Sequence, residues 1–246
     1  MTRRVLILDN AVHRHLFKPA WHWRARLAGH DCEVESANVP SGARIPPLDD
    51  VTHLILTGSE ASILDSVGWI DVEAAAVRDA ADRGIPILGS CFGHQMLVHA
   101  LSGPEHLRRS ERPEVGWTTL ELLDDDDLLD GVPRPWSVFS FHFDEVVDPP
   151  SPWRVLARSD RCAVQAIRYG DRPVWGLQPH PEIARWKAEF LIRLFVLFKR
   201  RAAREILAAS RRRPNDVRAI ASIVGRFIDH EGPRPAAGEG GRERGP

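Results

Sequence analysis

Residues 85–95 read IPILGSCFGHQ, and this stretch decides the fold. Its opening apolar residues predict a buried strand that ends at Leu88, and the apolar residues that follow it predict a helix that closes at Gly103. Cys91 lies at the turn between these two elements, with a glycine two residues to either side. A strand, a sharp turn and a helix with a nucleophile at the apex form the G-x-S-x-G elbow of hydrolases, here with a thiol instead of a hydroxyl.

The position of Cys91 predicts a reactive thiol. A helix N-terminus carries a partial positive charge, which favours the thiolate over the thiol. The backbone N–H of Phe92 is unpaired in a helix that begins there, so it is available to a developing oxyanion. A small buried structural cysteine is the alternative, and we assign that role to Cys32 and Cys162, which lie in strand-like runs without a partner pattern. The strand–turn–helix context favours Cys91 as the nucleophile.

Further apolar runs surround this elbow. Residues 5–8 and 54–56 predict two more buried strands, and residues 70–83 predict an amphipathic helix that ends at Gly84. The repetition of strand, helix and strand predicts an α/β fold, a flavodoxin-like doubly wound, mostly parallel sheet with helices on both faces. Short strand-like pieces between Asp-, Pro- and Gly-rich turns predict short antiparallel additions at residues 118–123, 137–141, 155–158, 163–168 and 174–177.

The C-terminal part of the chain predicts helices and a tail. Residues 183–200 have a helical pattern with one apolar face, formed by Trp186, Phe190, Leu194 and Leu197. The last sixteen residues are rich in Gly, Pro and charge, which predicts disorder. We therefore expect one domain over residues 1–200, a helical extension over residues 201–230 and a disordered tail over residues 231–246.

Composition excludes several classes of protein. The 246-residue chain has a formal net charge of −1, so no overall field favours nucleic acid or a membrane surface. No apolar stretch approaches the roughly 18 residues of a membrane helix. Three cysteines are too few for a disulfide framework, which favours a reducing cytoplasm. We expect a cytoplasmic protein that binds neither nucleic acid nor membranes.

A base for the thiol is predicted in residues 174–182, VWGLQPHPE, where a strand runs into a turn bracketed by prolines. His180 is the residue type that most often acts as a base near neutral pH, and Glu182 is a carboxylate able to hold its tautomer. Pro181 and Glu182 are also common in the first turn of a helix, so a simple helix start is the alternative. The cysteine elbow earlier in the chain favours the catalytic interpretation.

Residues 89–95, GSCFGHQ, resemble the G-x-C-x-G-H-Q signature of class I glutamine amidotransferases, and QPHPE resembles the Q-x-H-P-E element of the same family. That family includes the glutaminase part of GMP synthetase, and its fold also carries γ-glutamyl hydrolases and peptidases. The resemblance implies that Cys91 is the nucleophile, that His180 is the general base and that Glu182 orients it. It also implies a glutamine or γ-glutamyl substrate, and we predict no cofactor.

The resemblance extends to the rest of the site. The loop LTGSE at residues 56–60 is similar to the family's oxyanion loop, which implies the backbone N–H of Gly58 or Ser59 as the second oxyanion donor beside that of Phe92. This loop has one glycine where many relatives have a Gly-Gly-Pro-like sequence, and a plain turn is the alternative. The stretch FSFHFDEV resembles the one whose backbone holds the two ends of glutamine, which implies substrate-binding roles for Gln95, His142 and Phe143. A structural role beside a strand is the alternative for His142.

Three functions remain open. The first is a glutaminase that passes ammonia to a separate synthase chain, the second is a stand-alone γ-glutamyl hydrolase or peptidase, and the third is a catalytically silent regulatory subunit on the same fold. Because the sequence has no G-x-x-x-x-G-K-[ST] loop and few residues after residue 200, we expect no synthase domain in this chain. Without a nearby carboxylate cluster, the histidines around the elbow helix predict no metal site: His94, His99 and His106.

Overall fold

The computed structural model describes residues 2–13, 15, 17–198 and 217–231. Within these ranges the chain forms nine β-strands and five α-helices. The strands are β1 (Arg3–Asp9), β2 (Cys32–Asn38), β3 (His53–Leu56), β4 (Ile87–Ser90), β5 (Leu107–Leu122), β6 (Trp136–Val146), β7 (Trp153–Arg158), β8 (Ala166–Tyr169) and β9 (Val174–Leu177). The helices are α1 (Pro19–Leu27), α2 (Gly68–Asp82), α3 (Phe92–Ser102), α4 (Arg185–Phe198) and α5 (Val217–Asp229).

All nine strands belong to one mixed sheet in the order β2-β1-β3-β4-β9-β8-β7-β5-β6. The pairs from β2 to β9 are parallel, and the pairs from β9 to β6 are antiparallel. Parallel neighbours end at the same edge, and ligands in such sheets bind outside the carboxyl ends of the strands. The chain leaves β3, β4 and β9 at this edge, so the residues that follow them, Gly58, Cys91 and His180, are brought together.

The hydrophobic core lies on both faces of the parallel half. On one face α2 and α3 pack against alternate strand residues that include Leu6 and Leu54. On the other face α1 and α5 pack against the intervening residues of the same strands, which include Val5 and Ile55. Side chains alternate across a strand, so a strand that is covered on both faces must be apolar at every position. This explains the continuous apolar runs of the sequence and confirms the α/β class.

The antiparallel half is larger than the sequence predicted, and the expectation of a mostly parallel sheet with short additions was wrong in this respect. Four of the eight strand pairs are antiparallel. β5 has 16 residues and β6 has 11, and they pair from Leu107↔Val146 to Leu120↔Trp136 with a register shift between Arg109 and Glu114. The N-terminal half of β5 is charged and largely exposed, so it lacks the alternation of apolar residues by which strands are recognised.

The apolar face predicted for the helix after residue 183 is present on α4 but is turned outward. Trp186, Phe190 and Leu194 are 64%, 53% and 43% exposed. The inward face is formed instead by Ala188 and Ile192, which pack in a cluster with Phe139 and Trp117 of the antiparallel half. The side chain of Leu197 lies outside the described structure. Residues 201–216 of the predicted extension and residues 232–246 of the predicted tail also lie outside it.

Two expected absences concern only the part of the chain that the structure describes. None of its helices combines the length and the apolar character that crossing a bilayer requires. No three His, Cys, Asp or Glu side chains in the same part are grouped so that they could hold a metal ion.

Candidate active site

Cys91 occupies a sharp turn between β4 and α3. Its backbone has φ 50° and ψ −104°, a conformation that L residues rarely adopt and that costs of the order of 1–3 kcal/mol. The N–H of Cys91 donates to the carbonyl oxygen of Leu177 at 2.8 Å, which fastens the turn to the end of β9. Strain of this kind persists only where the surroundings hold it in place, and it is common at active sites.

The two glycines of the elbow are steric requirements. A Cβ atom on Gly89 would lie 2.5 Å from the carbonyl carbon of Gly93, and a Cβ on Gly93 would lie 2.3 Å from the carbonyl oxygen of Leu56. Strand β4, helix α3 and the end of β3 therefore approach each other more closely than any side chain permits. The close approach places Cys91 directly beside the loop that follows β3.

His180 and Glu182 stand next to the thiol. The Nδ1 atom of His180 lies 2.8 Å from Oε1 of Glu182, and both side chains are almost completely buried. The Cys91 thiol lies beside the imidazole, since a Cβ atom at Gly58 would be within 3.6 Å of atoms of both residues, and its charge raises the pKa of the ring. The backbone N–H of His180 donates to Phe139 O at 2.7 Å, and the sulfur of Cys91 lies 3.7 Å from Phe141 O, so strand β6 holds both residues from the other side.

The electrostatics favour a charged imidazole. Burial of the ring lowers the pKa of His180, but Cys91 and Glu182 together raise this pKa by more than burial lowers it. The net result is a pKa raised to about 10. At neutral pH the ring is therefore an imidazolium, ready to stabilise a thiolate and to give its proton to a leaving group.

Gly58 closes the site on the third side. A Cβ atom at this position would lie 2.6 Å from Cε1 of His180 and 3.6 Å from Cβ of Cys91. A side chain at residue 58 would therefore collide with the imidazole. The single glycine of the LTGSE loop is thus sufficient for the backbone to approach the thiol and the imidazole together.

Phe92, whose backbone N–H is the other predicted oxyanion donor, begins α3 beside the thiol. Its side chain is 1% exposed and packs against Trp69, with ring centroids 5.2 Å apart. Among the described residues, no side chain caps the N-terminus of α3. Packing of the Phe92 ring thus holds the first turn of the helix next to Cys91.

The predicted substrate-binding side chains are engaged within the protein. The amide nitrogen of Gln95 donates to Asp144 O at 2.8 Å and to Gln178 Oε1 at 3.2 Å. The ring of His142 lies between Asp144 O at 3.1 Å and Glu114 Oε2 at 3.0 Å. Phe143 lies partly exposed on the opposite side of the strand. The side chains of Gln95 and His142 therefore stabilise β6, and the carbonyl oxygen of Phe141 on this strand lies 3.7 Å from the sulfur of Cys91.

The family model for glutamine amidotransferase class-I matches residues 17–196. The chain belongs to the class I glutamine amidotransferase family. The predicted family and the predicted class of cysteine-nucleophile amidotransferase are therefore confirmed.

Curated relatives of this amidotransferase include the glutamine-hydrolyzing GMP synthase subunits of two archaea. The protein from Pyrococcus furiosus is 39% identical over 187 residues, which cover 73% of this chain and 89% of the relative. The protein from Pyrococcus abyssi is 32% identical over 187 residues, with the same coverage of 73% and 89%. A solved glutamine amidotransferase from Thermotoga maritima superposes with a TM-score of 0.77 over 94% of this chain and 100% of that chain. The two sequences are 21% identical, so this similarity supports the fold alone.

Several residues around Cys91, His180 and Glu182 of this amidotransferase were not predicted from the sequence. Nε of Arg26, on α1, donates to the carbonyl oxygen of Glu182 at 3.0 Å across a separation of 156 residues. The rings of Phe17 and Phe139 lie 6.5 and 6.2 Å from the His180 ring, centroid to centroid. No local pattern marks such residues, because only the packing of α1 and β6 around the turn at His180 gives them their positions.

The other two cysteines of the amidotransferase differ from Cys91. Burial raises the pKa of the Cys162 thiol to about 12, and it raises the pKa of Cys32 as well. Both stay protonated thiols at neutral pH, and a thiol is a poor nucleophile. This supports their assignment as structural residues.

Proposed function

We propose that this amidotransferase hydrolyses the side-chain amide of glutamine through a thioester on Cys91, with His180 as the acid and base and Glu182 as its orienting carboxylate. The proposal rests chiefly on one observation, the contact of the Cys91 thiol with an imidazole whose other side is bonded to a buried carboxylate. Nucleophile, base and orienter in this order are the general requirement of acyl transfer by cysteine.

In the proposed first step the Cys91 thiolate attacks the amide carbon of glutamine. The N–H groups of Gly58 and Phe92 stabilise the oxyanion that forms. His180 then protonates the departing nitrogen, the carbon–nitrogen bond breaks, and ammonia leaves a γ-glutamyl thioester behind. In the second step His180 takes a proton from water, the hydroxide attacks the thioester, and glutamate leaves as the thiolate returns.

Substrate binding is proposed at the edge of β6. The carbonyl of Phe141 lies 3.7 Å from the sulfur, so the neighbouring backbone of His142 and Phe143 is close enough to hold the amino acid part of glutamine. In this proposal Gln95 and His142 act indirectly, because their side chains fix Asp144 and Glu114 and thereby hold the strand.

We propose that the released ammonia passes to a separate synthase chain. The Pyrococcus relatives are named as subunits of a glutamine-hydrolyzing GMP synthase. The exposed apolar face of α4, Trp186, Phe190 and Leu194, begins four residues after Glu182 and is suited to contact with another chain. In the same proposal residues 1–200 form the amidotransferase domain, residues 201–230 form a helical extension and residues 231–246 form a tail.

Two finer points belong to the same proposal. The strand order β2-β1-β3-β4-β9 supports a flavodoxin-like doubly wound description of the parallel half, whose order is 2-1-3-4-5. The three cysteines are free thiols, which supports the cytoplasm as the compartment of the enzyme.

The decisive test measures release of ammonia from glutamine and of amino acid from γ-glutamyl dipeptides. Wild-type protein is compared with Cys91→Ala and with Cys32→Ala, which removes a thiol that is distant in sequence and has a raised pKa. We expect release from glutamine by the wild type and by Cys32→Ala but not by Cys91→Ala. Turnover of dipeptides alone would show a γ-glutamyl peptidase, and no Cys91-dependent release, with or without a synthase chain, would refute the proposed function.

A further inference from the structure

A carboxyl group that the triad does not use lies buried behind the site. Glu73, on α2, is 0% exposed. Its Oε1 accepts a hydrogen bond from Nδ2 of Asn10 at 3.0 Å, and within the described residues its Oε2 has no hydrogen-bond partner. Burying a carboxyl group costs free energy unless the group is hydrogen-bonded. Among the described residues Glu73 has one hydrogen-bond partner, Asn10, so any effect of Glu73 on the site passes through Asn10.

Asn10 connects Glu73 to the loop that follows β3. The same Nδ2 atom also donates to Thr57 O at 3.1 Å, and the backbone N–H of Asn10 donates to Thr57 Oγ1 at 2.9 Å. The hydroxyl of Thr57 in turn donates to Gly58 O at 3.0 Å. Asn10 and Thr57 are both 0% exposed, so water does not compete for these bonds. A chain of hydrogen bonds thus leads from Glu73 to the peptide units on both sides of Gly58.

Gly58 depends on such support more than other residues of the site. It has no side chain with which to pack, and its Cα must stay close to His180 and Cys91 without touching the imidazole. The peptide groups that flank it are fixed by bonds from Asn10 and Thr57. An oxyanion donor is effective only when it is held in place before the charge develops.

The protonation state of Glu73 suits this role. Burial raises the pKa of Glu73, the hydrogen bond from Asn10 lowers it and the nearby Asp9 raises it, and the net result is a pKa raised to about 8. At neutral pH the side chain is therefore uncharged and accepts the bond from Asn10 without placing a charge in the core.

We propose that Glu73 and Asn10 are positioning residues that hold the Thr57–Gly58 peptide so that the N–H of Gly58 points at the developing oxyanion. This inference rests on the proposed function for its catalytic part. Its structural part, that Glu73 immobilises residues 57–58 through Asn10, stands on the hydrogen bonds alone.

The kinetic test compares Glu73→Leu, which removes the acceptor, with Glu73→Gln, which keeps an uncharged oxygen for Asn10. In Glu73→Leu we expect kcat for glutamine to fall by about 10- to 10²-fold, less than the roughly 10²–10³-fold loss of a whole oxyanion donor, with little change in KM. Glu73→Gln should retain most of the activity. Alkylation of Cys91 by iodoacetamide should keep its rate in both variants, because it needs the thiolate and no oxyanion site.

A merely structural role for Glu73 predicts other results. If Glu73→Leu folds and keeps the wild-type kcat, or if Cys91 alkylation slows in parallel with kcat, the positioning of Gly58 is overturned. Val72→Ala, on the exposed side of the same helix, is the matched control for changes to α2.

A second measurement does not depend on turnover. Amide hydrogen exchange of a peptide that covers residues 54–62 should be faster in Glu73→Leu and in Asn10→Ala than in the wild type, and unchanged in Val72→Ala. If the wild type releases no ammonia, the proposed function fails, while this exchange still decides whether Glu73 holds the loop. Unchanged exchange in both variants would overturn the inference.

Discussion

Among the residues that the structure describes, two buried histidine–carboxylate pairs differ in one respect. His180 lies 2.8 Å from Glu182 and His142 lies 3.0 Å from Glu114, and all four residues are 5% exposed or less. Both ring nitrogens of His142 face oxygen atoms of the protein, since its Nδ1 faces Asp144 O. His180 has one nitrogen bonded to Glu182, which leaves the other for Cys91. A carboxylate partner alone therefore does not distinguish the histidine that we propose as the base; the ring nitrogen that remains available to Cys91 does.

The surroundings of the two pairs match this division. His180 lies in a turn at the carboxyl edge of the parallel strands, where three loops meet. His142 lies within β6, and its partner Glu114 also accepts hydrogen bonds from Gln165 and from Ser159, the latter at 2.8 Å. The second pair belongs to a hydrogen-bonded network that joins β5, β6 and the loop before β8, so we expect it to contribute to rigidity and not to proton transfer.

The largest effect is expected for His180→Gln. Loss of the acid and base should lower kcat for glutamine by about 10²- to 10⁴-fold, the usual contribution of such a group. The measurement is ammonia release at saturating glutamine, with His142→Gln as the matched control. If His180→Gln stayed within tenfold of the wild type, the distinction between the two histidines would be lost.

A smaller loss is expected for Glu182→Gln. The neutral amide can still accept a hydrogen bond from His180, but it removes one of the two charges that raise the pKa of His180. We expect kcat to fall by about 10- to 10²-fold, the range seen when the orienting partner of a functional histidine is lost. The upper limb of the pH profile of kcat should also move to lower pH. An unchanged profile would mean that Glu182 does not set the charge of the ring.

His142→Gln should affect stability more than turnover. Removing the ring leaves the buried carboxylate of Glu114 with its bonds from Ser159 and Gln165 but without the histidine, and the loss of a partner by a buried polar group typically costs about 1–3 kcal/mol in the free energy of unfolding. We expect kcat to fall by no more than about tenfold, which corresponds to about 1.4 kcal/mol. Urea unfolding and ammonia release on the same preparations check both statements. A loss of kcat as large as in His180→Gln would assign His142 a direct catalytic role.

Glu73 extends the comparison to a buried carboxyl without a histidine. Its pKa is raised to about 8 by burial and by Asp9, from about 4.3 in an unfolded chain. Its contribution to stability is therefore complete below the unfolded pKa and is lost as the pH rises through about 8. Relative to wild type, Glu73→Gln should gain up to about 1.4 kcal/mol of unfolding free energy per pH unit across this window. Urea titrations between pH 5 and 8 measure the difference, and parallel pH curves would contradict the raised pKa.

The sequence predicted those parts of the site that depend on neighbours along the chain. The elbow at Cys91 follows from the glycines at residues 89 and 93, and β9, which leads to His180, has the predicted bounds. Substrate-binding side chains were harder to predict. The amide of Gln95 is bonded to Asp144 O, 49 residues away, and no local pattern reveals such a partner. Glu73 was missed for the same reason, because an acid in an alanine-rich helix ordinarily faces solvent.

The sequence by itself determined the family, the alternation of strands and helices, and the strained turn with a thiol at its apex, since these follow from steric and hydrophobic demands over a few residues. Only the tertiary structure decided which histidine serves the thiol and which side chains merely support a strand. The reason is that the freedom of a ring nitrogen or an amide depends on the atoms that other strands bring to it. For His142 those atoms come from the long β5–β6 ladder, whose length the sequence did not reveal.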